Sequence, residues 1–547
     1  MELADTKIVV LGTFAFLVFW VTATFPKFFG LPIGRTAGAL VGATLIVIFQ
    51  VDSPEEAYAS INLPILGLLF GTMVVSVYLQ RADMFKYLAY ILSYRCRGGK
   101  DLLCRLSFLV AFSSALFTND TCCVLFTEFI LAFCKEKGLP PEPFLLALST
   151  SANIGSSATP IGNPQNLVIA IESKISFGRF LVGVVPAMVI GITLNLSLLL
   201  AMYWKPLSTI VIRKSELKTV NLSEIKSATE TENDQSHNDI VGNGDLQKCH
   251  SMDVSNDGKS NSLSKCAATH EMSVDRHLET TIFVSEDCTI RTIDSMTSEG
   301  EFVGNPNVDI LEPKQDGASL VANRSCEMCA QCFLLGWNDP SWKVWKNRFW
   351  KLSVYLVTIG MLAALLAGLD LSWCTITAAI ALIVLDFEDA GPSLNKVSYS
   401  LLVFFSAMFI TVDGFNRTGL PQKFWSVVEP HARINHATGI AVLASVVILL
   451  SNIASNVPTV LLLGPMVAAS SASLPGGGEA KAWLILAWAS TVAGNLTLVG
   501  SAANLIVCEQ ARMSTRTPYN LSFWRHLRFG FPSTIITVAV GLPLIRG

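Results

Sequence analysis

The chain has 547 residues, of which 51% are hydrophobic and 15% are charged, and its formal net charge is −3. A soluble domain has about a quarter of its residues charged, so this composition excludes a soluble protein and indicates an integral membrane protein. Membrane lipid is therefore an expected partner, and no nucleic acid is expected to bind.

Apolar runs of about 17–20 residues recur along the chain, and a run of that length crosses a bilayer as a helix. The first residues, MELADTK, carry two acids and one base, which is the wrong flank for a cleavable signal peptide, so we expect the first run to be a span. The clear runs are 8–25, 35–49, 63–79, 180–203, 352–369, 374–385, 401–412 and 532–544.

A polar insert divides the chain into a first membrane half (1–204) and a second (346–547). The insert, 205–345, is rich in Ser, Asn, Asp, Glu, Lys and Thr, which cannot bury a core, so it is predicted to be largely disordered. It contains three closely spaced cysteines, Cys326, Cys329 and Cys332. Metal binding is open there, but no nearby histidine completes a familiar site, and lipidation or free thiols are favoured. We therefore predict no metal and no cofactor.

The two halves resemble each other in four places, in the same order and at nearly constant spacing. Such internal repeats are the signature of secondary transporters. FGTMVVSV from Phe70 matches FSAMFITV from Phe405, TNDTCCVL from Thr118 matches SNVPTVLL from Ser455, IGNPQNLVI from Ile161 matches VGSAANLIV from Val499, and SFGRFLVGVVP from Ser176 matches SFWRHLRFGFP from Ser522.

Basic residues predict the orientation of the chain in the membrane. The segment after the third span is rich in Arg and Lys and is predicted to be cytoplasmic, whereas the acidic DSPEE before that span is predicted to be outside. The N-terminus is then extracellular and the polar insert cytoplasmic. If each half has about five spanning helices plus one re-entrant hairpin, the second half starts on the opposite side, and the two repeats are inverted.

Two apolar stretches, 103–134 and 437–470, carry polar residues at their centres. The arms on either side of Asn119 hold about 12 residues each, too few to span alone, so a hairpin that dips into the bilayer and turns at a polar tip fits better. Asn456 marks the corresponding tip in the second half. Two poor spans in each stretch stay open as an alternative, although the polar centres favour hairpins.

Two further stretches, about 143–170 and 481–510, look like helices that enter the membrane, unwind and resume. Proline, glycine, asparagine and glutamine interrupt the first of them in ATPIGNPQNLVIA, 158–170. Unwinding frees backbone groups near the midplane and points helix ends at a substrate. The alternative is that these polar residues only hold helices together. The candidate substrate-binding residues are Asn119, Asn153, Ser157, Thr159, Asn163, Asn166, Asn456, Thr459, Asn495, Thr497, Ser501 and Asn504.

Asp120 is a carboxylate at the first hairpin tip, where the second half has Val457. An ionisable residue within a membrane marks a functional site by default. Because burial penalises the charged form of a carboxylate, we predict that Asp120 binds and releases the coupling proton. A neutral Asp120 that only hydrogen-bonds to Asn and Thr is the structural alternative.

These motifs resemble the ion transporter superfamily, in particular its arsenite-permease-like branch, through TNDT, IGNPQNLVIA, SNVPT and VGSAANLI. LPIGRTAGAL (31–40), INLPILGLLFGTMVV (61–75), SALFTNDTCCV (114–124) and NIGSSATPIGNPQNLVIA (153–170) are similar to plant silicon efflux transporters. The resemblance covers both membrane halves. It implies an all-α polytopic protein of two inverted repeats, each with a re-entrant hairpin and one discontinuous helix.

The resemblance also implies a function. It implies a plasma-membrane exporter of silicic acid, a small neutral oxyacid, driven by an inward proton gradient through alternating access, with arsenite as the second substrate. In sodium-coupled relatives Ser-Asn-Thr tips bind sodium, and Asp120 in the first tip favours the proton instead. Dimers are usual in the superfamily, which leaves a homodimer open.

The sequence leaves two other functions open and disfavours a third. A sodium/proton or carboxylate transporter is the first alternative, although no Arg or Lys lies in the broken segments to meet a carboxylate. A membrane scaffold acting through the insert is a remote alternative. No paired carboxylates, HExxH motif or Ser-His array is evident, so the sequence predicts that the protein is not an enzyme.

Overall fold

The computed structural model describes residues 4–24, 34–94, 96–208, 340–386, 389–473, 478–514 and 517–546. Every secondary-structure element among these residues is helical. The helices of the first half are α1 (Thr6–Thr24), α2 (Arg35–Ile48), α3 (Pro54–Ala59), α4 (Leu63–Arg81), α5 (Met84–Ser93), α6 (Gly99–Leu116), α7 (Asn119–Lys137), α8 (Pro141–Ser156), α9 (Pro164–Ser173) and α10 (Phe177–Ser208).

The second half has the same order of long and short helices. Each helix of the first half therefore corresponds to the helix of the second half whose number is higher by ten. Its helices are α11 (Pro340–Leu366), α12 (Leu371–Val384), α13 (Gly391–Leu394), α14 (Tyr399–Arg417), α15 (Leu420–Val428), α16 (Ala437–Ala454), α17 (Asn456–Ala472), α18 (Glu479–Ala493), α19 (Ala502–Met513) and α20 (Phe523–Gly541). The inverted orientation of the two repeats stays a prediction.

Seven of the helices in the described part of the chain are long and apolar enough to cross a membrane, judged by length and composition. They are α1, α4, α10, α11, α14, α16 and α20, and three shorter apolar helices, α2, α12 and α17, accompany them. The prediction of an all-α polytopic membrane protein is therefore confirmed.

The predicted insert is shorter than expected at both ends. Helix α10 continues to Ser208 and α11 begins at Pro340, so helix extends into the predicted polar segment 205–345 on each side. Residues 209–339, with the cysteines Cys326, Cys329 and Cys332, lie outside the described residues. The prediction of disorder in that segment is not addressed by the structure.

The helices fall into two groups according to how they pack. The first, here called the frame, contains α1, α2, α4, α11, α12 and α14: α2 packs on α1 and α14, and α4 packs on α12. The second, here called the site bundle, contains α6–α10 and α16–α20. In the site bundle α7 packs on α19 and α17 packs on α9, so the hairpin of each half contacts the resumed helix of the other half.

The two predicted hairpins turn where the polar tips are, but their arms are longer than the sequence analysis expected. Helix α6 has 18 residues and α7 has 19, instead of about 12 in each arm. Helix α16 also has 18 residues, and it is one of the seven candidate spans. The predicted arm length of about 12 residues was therefore wrong. The re-entrant arrangement stays a prediction based on the polar tips.

Candidate functional site

The first discontinuous helix breaks between Ser156 and Pro164. Pro160 and Pro164 have no backbone N–H, and a 3₁₀ turn over Pro160–Gly162 replaces regular helix. A side chain at Gly162 would place its Cβ 2.3 Å from the carbonyl oxygen of Ser156, so only glycine allows the chain to pass so close. The sequence thus dictates both the position of the break and its tightness.

Two asparagines satisfy the backbone groups that this break leaves free. Asn163 Oδ1 accepts from the backbone N–H of Asn166 at 2.9 Å and so begins α9. Asn166 Nδ2 donates to the carbonyl oxygens of Ser156 at 3.1 Å, Ser157 at 3.3 Å and Thr159 at 3.1 Å. Asn163 and Asn166 therefore hold the break in shape, because an unpaired buried carbonyl would be costly.

The second break is built in the same way. Helix α18 ends at Ala493, a 3₁₀ turn covers Leu498–Gly500, and Ser501 Oγ accepts from the N–H of Ala503 at 3.2 Å. Asn504 Nδ2 donates to the carbonyl oxygens of Gly494 at 2.7 Å and Thr497 at 3.0 Å, as Asn166 does in the first half. The shared role of these two asparagines follows from their matching positions in the repeat.

Asn153 joins the two halves at the centre of the site bundle. Its Nδ2 donates to Oδ1 of Asn495 at 2.8 Å and to Oδ1 of Asn504 at 3.1 Å. Its Oδ1 accepts from Asn119 Nδ2 at 3.1 Å and from Ser501 Oγ at 2.9 Å. The first hairpin tip and both breaks are thus tied together by one fully buried side chain.

A cavity of about 290 Å³ lies where both hairpin tips and both breaks meet the frame. Of the predicted site residues, Asn119, Asp120, Asn456 and Ser501 line this cavity. The other predicted site residues are not among those that line it: Asn153, Ser157, Thr159, Asn163, Asn166, Thr459, Asn495, Thr497 and Asn504. Their hydrogen bonds hold the tips and breaks in place.

Helix N-termini converge on this cavity. The first residues of α7, α9, α17 and α19 all line it, and these helices come from the site bundle. Asn456 is only 9% exposed and its Oδ1 has no hydrogen-bond partner in the described structure. Oriented N–H groups and unpaired amide groups are the partners that a hydroxyl-bearing substrate needs.

Several cavity residues come from the frame and were missed by the sequence analysis. Arg35 and Thr36 at the start of α2 line the cavity, as do Trp20 of α1 and the two serines at the start of α14, Ser398 and Ser400. The sequence did not predict these residues as part of the site, because an arginine at the end of an apolar run normally indicates an anchor at the membrane surface.

Asp120 is the second residue of α7 and lines the cavity beside Asn119. Its backbone N–H donates to Asn119 Oδ1 at 2.9 Å, and Thr118 caps the helix by accepting from the N–H of Thr121 at 3.3 Å. Asp120 Oδ1 is buried and has no hydrogen-bond partner in the described structure. A carboxylate oxygen without a partner is a group ready to take up a proton or a donor.

The chain combines many membrane-length helices with a cavity whose largely apolar lining includes polar side chains from both halves, which is typical of a transporter. The chain belongs to the citrate transporter family, CitMHS, which it matches over residues 17–493. It is 47% identical to Silicon efflux transporter LSI3 of Oryza sativa subsp. japonica over 545 residues, which is 100% of this chain and 99% of the relative. The predicted resemblance to silicon efflux transporters is thereby confirmed.

Two relatives of lower identity also match most of the chain. The chain is 29% identical over 94% of its length to Putative transporter arsB of Dictyostelium discoideum, of which 88% is covered. It is 25% identical over 93% of its length to P protein of Homo sapiens, of which 57% is covered. The matched family and the silicon efflux transporter are transporters and not enzymes, so the prediction that the protein is not an enzyme is confirmed.

Proposed function

We propose that this protein exports silicic acid from the cell, and arsenite as a second substrate, in exchange for protons. The proposal rests on one observation above the others: the cavity between the two hairpin tips brings hydroxyl and amide side chains from both halves together with one carboxylate, Asp120, within a largely apolar lining. Silicic acid is uncharged near neutral pH and carries only hydroxyl groups, which such side chains bind. The full-length similarity to a silicon efflux transporter supports the same substrate.

The coupling ion proposed is the proton, bound at Asp120. Asp120 lines the cavity and its buried Oδ1 has no hydrogen-bond partner in the described structure, so a proton on this carboxylate and a substrate in the cavity lie next to each other. Alternating access follows if the site bundle moves against the frame, because the cavity lies between the two groups.

The proposed location is the plasma membrane, with the N-terminus extracellular and segment 205–345 cytoplasmic. The two repeats are proposed to be inverted, and a homodimer is left open.

Carboxylate transport is the second candidate, and one observation favours it. The broken segments contain no Arg or Lys, which disfavours a carboxylate substrate, but the fold brings Arg35 to the cavity from α2. An arginine pairs well with a carboxylate, and the family matched is that of a citrate transporter. Asp120 opposes this candidate when it is ionised, since it offsets the charge of Arg35. For this second candidate, sodium as the coupling ion in place of the proton stays open.

Efflux from proteoliposomes tests the proposal. The purified full chain is reconstituted with silicic acid inside, a proton gradient is imposed, and wild type is compared with Asp120→Asn. Gradient-driven efflux in wild type that is lost in the variant is expected. Flux that survives the substitution would remove Asp120 from the coupling role and leave the exporter intact.

The same vesicles separate the alternatives. Citrate is loaded in place of silicic acid, and a sodium gradient replaces the proton gradient in a parallel series. Citrate flux without silicic acid flux would overturn the proposed substrate. A scaffold function is tested by deleting 215–335: a carrier keeps its flux after the deletion, whereas a protein that works by recruiting partners loses its function.

A further inference from the structure

Arg35 is the only cationic side chain among the described residues that line the cavity, and Asp120 is the only anionic one. Both side chains line the same cavity, so their opposite charges act on each other across it. Two opposite charges beside a largely apolar lining influence each other more strongly than in bulk water, because the surrounding protein screens them less. The pair therefore determines the net charge of the cavity.

The two residues belong to different groups of helices. Arg35 is the first residue of α2, which packs on α1 and α14 within the frame. Asp120 is in the first turn of α7, which packs on α8 and α19 within the site bundle. A movement of the bundle against the frame therefore changes the distance between Arg35 and Asp120.

We propose that Arg35 is the counter-charge of Asp120 and that it couples the protonation of Asp120 to the movement of the site bundle. An ionised Asp120 is attracted to Arg35 and holds the bundle in the arrangement described here. A protonated Asp120 carries no charge and is not attracted to Arg35, so the site bundle is free to move. This inference deepens the proposed function, since it gives proton-coupled transport a residue that the sequence analysis did not assign.

Other titratable groups do not replace Arg35 in this role. Cys122 and Cys123 follow Asp120 on α7, but both are fully buried thiols without charge. Charged residues elsewhere on α7 and on the helices packed against it form contacts of their own. Glu128 accepts from Ser514, Glu142 accepts from Tyr203 and Tyr519, Asp101 pairs with Arg105, and Glu509 pairs with Arg512.

A double-mutant cycle in the purified full chain tests the pair without relying on transport. Thermal unfolding in detergent is measured from pH 5 to pH 8 for wild type, Arg35→Gln, Asp120→Asn and the double variant. A carboxyl is more ionised at pH 8 than at pH 5, and ionised Asp120 loses its counter-charge in Arg35→Gln, so we expect a lower unfolding temperature than in wild type at pH 8. The loss should be smaller at pH 5 and absent in the Asp120→Asn background.

Transport gives the second readout. Removing a nearby positive charge makes the carboxylate hold its proton more tightly, so the pH midpoint of silicic acid flux should move up by about one unit in Arg35→Gln. Arg35→Lys keeps the charge and should keep the midpoint. Arg512→Gln is the matched control, because Arg512 is an exposed arginine of α19 that pairs only with Glu509 in the described structure.

The outcomes separate this inference from the proposed function. An equal loss of stability at both pH values, or a loss that persists without the carboxylate, overturns the charge pair. If Arg35→Gln alone does not fold, Asp120→Asn is compared with the double variant; a double variant less stable than Asp120→Asn overturns the pair. A pH-dependent cycle in a protein that moves no silicic acid keeps the pair and overturns the proposed substrate.

Discussion

Asn153 of α8 donates a 2.8 Å hydrogen bond from Nδ2 to Oδ1 of Asn495, which lies 342 residues further along the chain. This bond joins the end of a helix in the first half to the break of the second half. With its bonds to Asn504, Asn119 and Ser501, Asn153 uses both of its amide hydrogens and both lone pairs of its oxygen.

Asn153→Ala should be among the most destabilising single changes in the site bundle. It leaves several buried polar groups without a partner, and each such group costs about 1–3 kcal/mol. We expect a loss of about 3 kcal/mol or more in the free energy of unfolding in detergent, and loss of silicic acid flux. Asn395→Ala, at an exposed asparagine, is the control and should change neither quantity. Retention of wild-type stability in Asn153→Ala would contradict this role.

His526 of α20 supports the second break from behind and should be a positioning residue. Its Nε2 lies 3.1 Å from the carbonyl oxygen of Asn495, which the break frees, and the side chain is fully buried. His526→Gln keeps a donor for that carbonyl, whereas His526→Phe removes it and introduces the residue found at the matching position, Phe180.

Flux measured against silicic acid concentration separates these two variants. We expect His526→Phe to raise KM about threefold to tenfold, corresponding to the loss of one buried hydrogen bond of about 1 kcal/mol, and His526→Gln to restore KM most of the way. Equal KM values in wild type and His526→Phe would show that the histidine only fills space.

Ser455 at the second hairpin tip has a strained backbone. Its φ of 74° and ψ of 159° lie in a region that favours glycine, whereas the corresponding Thr118 has an ordinary φ of −63°. Ser455→Gly should therefore raise the free energy of unfolding by up to about 1 kcal/mol. Thr118→Gly is the matched comparison and should lower it, because it removes the cap to Thr121 and gains no relief of strain. The reverse order of the two thermal shifts would contradict the assignment of strain.

Asp52 should make stability depend on pH outside the membrane-spanning segments. It lies in the connection between α2 and α3, where burial raises the pKa of its carboxyl to about 6 against the opposing effect of Arg417. Arg417 Nε lies 2.9 Å from Asp52 Oδ1. Because the pKa is raised from 3.8, the stabilising contribution of the protonated form is fully present below pH 3.8 and is lost as the pH rises through 6.

Thermal unfolding between pH 4 and pH 7 checks this dependence. Asp52→Asn should gain stability relative to wild type as the pH rises over that range, since the amide cannot ionise. Arg417 keeps Glu56 and Asp413 as partners in the variant. Glu55→Gln, an exposed change on the neighbouring helix α3, is the control and should follow wild type. A constant difference between Asp52→Asn and wild type would contradict the raised pKa.

Features that depend on neighbouring residues could be predicted from the sequence. The break before Pro164 follows from two prolines and a glycine within a few residues, and the tips at Thr118 and Ser455 follow from polar residues between apolar runs. The membrane class follows from composition, and the repeat of the two halves follows from four sequence matches in register, although the number of helices in each half does not. The predicted hairpin arms were too short, because a helix can continue through polar residues beyond the end of an apolar run.

Composition and local pattern by themselves determined that this chain is a helical membrane protein with two matching halves and broken, polar segments in each. Backbone chemistry requires those segments to be enclosed by protein, so the sequence also placed the site near them. Only the tertiary structure decided which of the polar side chains line the cavity and which hold its wall. It alone brought Arg35 of the frame and Asp120 of the site bundle to the same cavity, because proximity between distant segments depends on packing and not on spacing along the chain.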